Sequence, residues 1–352
     1  MKRNFDAIGL DIGGTNLRIG RVDRDYSARD IEISSSREIF SNEDSVSRIS
    51  AIISDYISTY LGNRQPAFVS IGLPAVLNKD RSIIFSATNF PGLKGNFLEK
   101  IRKSLAIPVI LEHDAYFLLA YDMLEHGVQQ TSTCVGIYFG TGLGTAIFLN
   151  GIPYTGKNGT AAELGHVSIP FDTRLCSCGN QGCIEMYCCG KALEQIQKSF
   201  YKETVIADMF NAHHSSKILR NFIGYMSMPA AAIANILDPD HIFIGGGIPN
   251  MIGFPKTELE AAIRKITRKP FPESNLSIIF SDNRAEKGII GAVIEGNRKL
   301  HLQADNEKKV SPPPPFQASV SGKKIAGASS NERMKTSDTR RIAFRSPTAS
   351  DS

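Results

Sequence analysis

With 352 residues, 42% hydrophobic and 21% charged, the chain is long enough for two compact domains and has an ordinary globular composition. Of its formal net charge of +5, +4 lies from His301 onward, where nine Lys/Arg face five Asp/Glu, so the body is near neutral and a broad nucleic-acid surface is excluded. No apolar run is long enough to span a bilayer, no signal-like stretch opens the chain, and its six Cys fit a reducing, cytoplasmic setting without a membrane partner.

Residues 5–12 read as a strand, Gly13, Gly14, Thr15 and Asn16 as a turn, and residues 17–22 as the returning strand of a hairpin. Glycines at such a turn let backbone N–H groups approach an anion, and Thr15 and Asn16 add polar contacts. Asp11, at the strand end, is placed to hold Mg2+ directly or through water. An ordinary hairpin turn carries the same signature. Residues 45–61 place Val46, Ile49, Ile52, Ile53 and Ile57 at helical spacing. Residues 68–73 form a buried strand stopped by Pro74, and residues 88–93 a turn-rich loop in which Asn89 either binds a hydroxyl or caps the loop. A strand at 109–111 runs into an apolar helix at 115–124, which puts Asp114 at a strand end and a helix start. An Asp there is either an N-cap or a general base that takes a proton from an alcohol attacking phosphorus.

Residues 133–139, the turn Gly140, Thr141, Gly142, Leu143, Gly144, Thr145 and the strand 146–149 repeat the first hairpin, which suggests a duplicated phosphate-clasping plan. His166, Cys176, Cys178 and Cys183, flanked by Glu163 and Glu185, then supply one imidazole and three thiolates. That is a closed tetrahedral set of the kind Zn2+ takes at structural sites, with Gly179 and Gly182 allowing tight turns. On spacing alone, a disulfide or free thiols stand beside the metal. Cys134 belongs in the core, and Cys188 and Cys189 at a helix start. Residues 191–237 are mostly helical, with Pro229 kinking the long helix or opening a second. A strand at 241–244 meets Gly245, Gly246 and Gly247, which let backbone pass close to a flat ligand. A helix at 255–269, a strand at 276–281 and a last helix at 285–299 follow. From Leu302 on, a run of prolines at 312–315 and a Ser-, Lys- and Arg-rich composition without period predict disorder.

Taken together, the motifs at 11–16, 112–114, 140–144, 163–166, 176–185 and 245–247 resemble the sugar kinases of the ROK family (repressor, open reading frame, kinase) over about residues 5–299. The resemblance implies an α/β fold of the actin-like ATPase (ribonuclease H-like) type, with two α/β domains around a cleft. Residues 1–115 would form the smaller domain with the first phosphate hairpin and the catalytic base, and 116–285 the larger one with the zinc site and the second hairpin. Residues 286–301 would be a helix returning to the first domain, and 302–352 a disordered tail. It further implies that Asp114 is the catalytic base for a hexose 6-hydroxyl, and that Asn89, His113, Asp114, Glu163, His166 and Glu185 bind the sugar. Asp11, Gly13, Gly14, Thr15, Asn16, Thr141, Gly142, Gly144, Gly245 and Gly246 would bind ATP, with Asp11 near Mg2+. His166, Cys176, Cys178 and Cys183 would hold a structural Zn2+. The implied partners are a hexose, ATP and a second copy of the chain, and no nucleic acid.

At 179–185, 237–240, 245–248, 254–256 and 268–272 the chain is most similar to family members that phosphorylate D-allose. It departs from the family's glucokinases at His113, where they usually carry Asn. Imidazole places its donor and acceptor elsewhere, so a pocket for a C3 or C4 epimer is expected. Glucose, mannose, fructose and N-acetylmannosamine are the alternative sugars. A sugar-sensing repressor would need a helix-turn-helix ahead of the motif that begins at Asp11. A non-catalytic sugar-binding protein would not need both turns and Asp114.

Overall fold

The structure, a computed structural model, describes residues 6–40, 45–62, 64–87, 90, 93–170 and 173–309. Its first half runs β1 (Ala7–Ile12), β2 (Asn16–Val22), β3 (Ala28–Ser35), α1 (Ser36–Ile39), α2 (Ser45–Leu61), β4 (Val69–Leu73), β5 (Val76–Leu77), β6 (Ile84–Ser86), α3 (Phe97–Leu105), β7 (Val109–His113) and α4 (Asp114–Glu125). The second half runs β8 (Cys134–Phe139), β9 (Leu143–Leu149), β10 (Ile152–Pro153), α5 (Glu185–Cys188), α6 (Gly190–Phe200), α7 (Met209–Ala212), α8 (Lys217–Leu237), β11 (His241–Gly245), α9 (Lys256–Ile266), β12 (Ser277–Phe280) and α10 (Lys287–Lys309). The strands form two five-stranded sheets, ordered β3-β2-β1-β4-β7 and β10-β9-β8-β11-β12. Each sheet begins as an antiparallel meander and continues with two parallel strands reached through helical crossovers. The duplication expected from the two Gly/Thr turns therefore extends to the whole strand order.

Strand patterning explains how the layers pack. All six residues of β1 are buried, and alternate side chains face opposite ways. Ile8, Leu10 and Ile12 join Ile49, Ile53 and Ile57 of α2 and Phe97 and Ile101 of α3 in one core. The other face is Ala7, Gly9 and Asp11, and α10 lies flush on it. A Cβ on Gly9 would overlap the Ile289 backbone, and one on Gly288 would overlap the Asp11 carboxylate. β8 repeats the pattern. Val135, Ile137 and Phe139 join the core under α8, while Cys134 and Tyr138 pack with Ala115, Leu119 and Met123 of α4. The helix that ends each half thus covers the sheet of the other half. The two helices touch where Gly291 of α10 meets the Phe117 carbonyl of α4. Beside this crossing, the fully buried Asp122 accepts from Tyr138 OH at 2.8 Å and Ser281 Oγ at 2.9 Å and pairs with Lys287.

Several elements differ from the sequence expectations. The edge strand β3 was not expected, because its alternating charges leave no apolar run. α3 was not expected either; it has only nine residues. The long helix α8 passes through Pro229 as one element. The last helix continues to Lys309, which corrects the reading of disorder from Leu302. Residues 302–309 are mostly helix formers, and the first prolines come only at 312. The rest of the predicted tail and Asn89 lie outside the described residues. No helix among the described residues is long and apolar enough to cross a membrane.

Candidate active site

The two hairpin turns meet at one cleft of about 330 Å³. Each turn is closed by its own backbone: Gly13 N–H donates to Asn16 O at 2.8 Å, and Gly140 N–H donates to Gly142 O at 3.0 Å. Gly14 from the first turn and Thr141, Gly142 and Gly144 from the second line the cleft, and Gly246 adds a third piece of backbone. Gly246 has φ of 94°, and a Cβ there would press on the Phe139 backbone, so only glycine fits. Gly245, expected beside it, is not part of the lining. It ends β11 and packs on Tyr138 and Ser281, because strand alternation turns it to the opposite side. Gly13 and Asn16 serve the turn, and Thr15 is exposed outside the cleft lining. Asp11 lies buried below, with Arg18 Nη1 3.4 Å from its Oδ2. Burial, reinforced by Asp114, raises its pKa to about 6 against the pull of Arg18.

β7 passes into α4 without a loop, which sets His113 and Asp114 at the carboxyl end of a parallel strand, where open α/β sheets place ligands. His113 holds the N-cap position of α4, one residue ahead of Asp114. Ala115 N–H has two acceptors here, His113 Nδ1 at 3.3 Å and Asp114 Oδ1 at 2.9 Å. His113 Nδ1 also lies 3.0 Å from Asp114 Oδ1. Burial pulls the His113 pKa down, but Asp114, with Glu163 and Glu112, outweighs it and the net shift is upward. That favours His113 as the donor to Asp114, with Ala115 N–H left to the carboxylate.

A short 3-10 turn (Leu164–His166) brings Glu163 and His166 into the lining, and the start of α5 brings Glu185. The intervening chain folds into a knuckle: Cys176 N–H donates to Asn180 O at 2.8 Å, and Gly182 N–H to Arg174 O at 2.8 Å. Gly179 (φ 96°) and Gly182 (φ 72°) supply its left-handed corners. The ligand atoms of His166, Cys176, Cys178 and Cys183 all fall within 4.8 Å of one another. Cys178 and Cys183 Sγ are 3.6 Å apart, and His166 Nδ1 is 3.7 Å from Cys176 Sγ. A tetrahedral zinc with Zn–S near 2.3 Å requires sulfur pairs about 3.8 Å apart, so the donor set fits that ion. The His166 ring divides its duties, with Nδ1 toward the thiols and Nε2 3.7 Å from Glu163 Oε2. Cys188 and Cys189 are buried apart from this set, beside the start of α6.

Some contributors had no sequence signal strong enough to single them out. Ser86 and Lys191 line the cleft. Below His113, Glu112 is fully buried between Arg81 Nε at 2.8 Å and Lys299 Nζ at 2.7 Å. Its pKa is lowered because Lys299 and Arg81 overcome the burial that would raise it. Arg81 comes from the β5–β6 turn and Lys299 from α10, so no local motif links them.

The family model for the ROK family matches residues 7–295. The chain belongs to the ROK family. An N-acetyl-D-glucosamine kinase of Photobacterium profundum is 28% identical over 268 residues, covering 69% of this chain and 84% of that protein. Two solved ROK structures share the fold, each at 22% identity. One is a Streptomyces griseus glucokinase in complex with glucose and AMPPNP, with a TM-score of 0.69 over 82% of this chain and 97% of that one. The other is a ROK transcriptional regulator homologous to the Escherichia coli MLC protein, with a TM-score of 0.71 over 83% of this chain and 78% of that one. The ROK chain described here therefore has the α/β fold of the actin-like ATPases.

Proposed function

We propose that this ROK protein is an ATP-dependent kinase that phosphorylates the 6-hydroxyl of a hexose, with D-allose as its preferred sugar. The observation that carries the reading is a single cleft lined by both Gly/Thr turns, Gly246, Asp114, Glu163, His166 and Glu185. Relatives named for hexose phosphorylation support the class. His113 in the cleft wall supports a sugar other than glucose. N-Acetyl-D-glucosamine is the second reading, because the curated relatives carry that name.

In this mechanism Asp114 accepts the proton of the 6-hydroxyl, oriented by His113. Glu163, His166 Nε2 and Glu185 bind the remaining hydroxyls, and Asn89 is proposed to join them. Backbone at Gly14, Thr141, Gly142, Gly144 and Gly246 receives the nucleotide, where N–H donors relieve charge on the transferred group. Mg2+ bound with ATP would supply further charge relief, and the buried Asp11 is suited to hold it. Zn2+ at His166, Cys176, Cys178 and Cys183 would fix the loop that aims Glu163, His166 and Glu185, since four protein donors complete a structural site.

A coupled ADP-release assay with D-allose, D-glucose and N-acetyl-D-glucosamine tests the proposal. Allose preferred tenfold or more in kcat/KM is the expected result. Preference for another hexose removes allose and keeps the kinase, and no ADP with any sugar removes the kinase. The proposed assembly is a homodimer, which light scattering checks.

A further inference from the structure

Beside the cleft lies a smaller cavity of about 30 Å³. It shares His113, Glu163 and Leu143 with the cleft, but Asp114 is not in its wall. Two polar side chains of that wall, Arg81 and Thr145, are each only 5% exposed. Arg81 Nη2 and Thr145 Oγ1 have no hydrogen-bond partner among the described residues. Arg81 is held in place by its other nitrogens: Nε lies 2.8 Å from Glu112 Oε1, and Nη1 donates to Gly159 O at 2.6 Å. Nε, though this close to the carboxylate, makes no hydrogen bond among the described residues, and Nη2 has neither an ion-pair nor a hydrogen-bond partner there. Thr145 stands two residues along β9 from Leu143 and so shares its face. The neighbouring Tyr116 hydroxyl already donates to Tyr154 O at 2.7 Å.

Buried polar atoms are rarely left unpaired, and such atoms beside a ligand cleft mark a place for a ligand atom. A fixed guanidinium donor and a rotatable hydroxyl suit an incoming hydroxyl, which accepts from the first and exchanges a hydrogen bond with the second. The cavity has room for a group about the size of one water. The kinase reading above puts the 6-hydroxyl at Asp114 and a C3 or C4 hydroxyl at His113, and His113 also lines the cavity. An equatorial substituent there stays within the cleft, whereas an axial one leaves the ring plane. D-Allose differs from D-glucose only in an axial 3-hydroxyl. We propose that the cavity is a subsite for that axial hydroxyl and that Arg81 and Thr145 are specificity-determining residues.

The test measures kcat/KM for D-allose, D-glucose, N-acetyl-D-glucosamine and 3-deoxy-D-glucose, the 3-deoxy analogue common to glucose and allose, in the full chain and in Thr145→Val and Thr145→Ser. Thr145→Val keeps the side-chain shape and breaks no protein hydrogen bond. It is expected to lower kcat/KM for allose roughly 10- to 100-fold, as for a lost hydrogen bond to a substrate hydroxyl, and to leave glucose within about threefold. Thr145→Ser is expected to retain most of the allose activity. The wild-type protein needs no variant for its part: it is expected to use the 3-deoxy sugar far less well than allose. Equal losses for allose and glucose, no loss for either, or a 3-deoxy sugar used as well as allose would overturn the subsite. A loss confined to N-acetyl-D-glucosamine would overturn it in favour of an acetamido oxygen. The wild-type preference among sugars tests the substrate reading, and the change in the allose-to-glucose ratio tests the cavity, so the two fail separately.

Discussion

Asp114 and His113 share one carboxylate oxygen's surroundings, and that sharing decides how each is expected to respond to mutation. Because Asn keeps a side-chain oxygen that can accept from Ala115 N–H, Asp114→Asn is expected to fold normally and to lower kcat by roughly 10²–10⁴-fold, as for a lost general base. Circular dichroism beside the kinetics checks this, and an unfolded variant would return Asp114 to a structural role. His113→Asn is expected to shift the allose-to-glucose ratio of kcat/KM about tenfold toward glucose; an unchanged ratio removes His113 from specificity. Asp11 gives a pH dependence. Its pKa is about 6 in the folded protein against 3.8 for the free side chain, so the folded state binds the proton more tightly. The stability this group contributes is full below about pH 4 and is lost as pH rises through about 6, a difference of roughly 3 kcal/mol at neutral pH. Asp11→Asn is therefore expected to raise the urea midpoint at pH 7.5, with little change at pH 4, while impairing use of Mg-ATP. At this scale the sequence could name Asp114 but could not choose between cap and base, because both roles occupy the same place at a strand-to-helix junction.

Among the elements, the knuckle between Glu163 and Glu185 was the most legible, since its His and Cys donors are close in sequence and its glycines stand where the corners are. The Arg81–Glu112–Lys299 group was invisible for the opposite reason: its members lie on a turn, a strand and the last helix, and only the tertiary fold brings them together. Both elements lead to measurements. Chelation of the proposed zinc is expected to lower Tm and raise KM for the hexose more than KM for ATP, because the knuckle carries Glu163, His166 and Glu185. A chelator that changes neither would remove the structural metal. Glu112→Ala leaves two cations facing each other in a buried place and is expected to cost about 3–5 kcal/mol in urea unfolding.

Over the whole molecule, the duplication was readable only in part. Two Gly/Thr turns announced it, and the strands β1 and β8 carry glycine at the same place in their apolar runs. The family resemblance implied that the last helix returns to the first domain, but the residues themselves did not show which helix each glycine face receives. That choice is long-range: α10 lies over Gly9 and Gly20 of the first sheet, and α4 over the second. The crossing at Gly291 leaves no space for a side chain, so Gly291→Val is expected to destabilise the protein by at least roughly 1–3 kcal/mol, read from the urea midpoint.

The same exchange bears on the order in which the polypeptide can mature during translation. β1 leaves the ribosome well before the helix that sheathes its Ala7, Gly9 and Asp11 face, which begins at Lys287. Until then the first sheet has one uncovered flank, and its completion waits for that helix. A nascent chain halted before that helix emerges would be open to chaperones and proteases, whatever the strength of its own core.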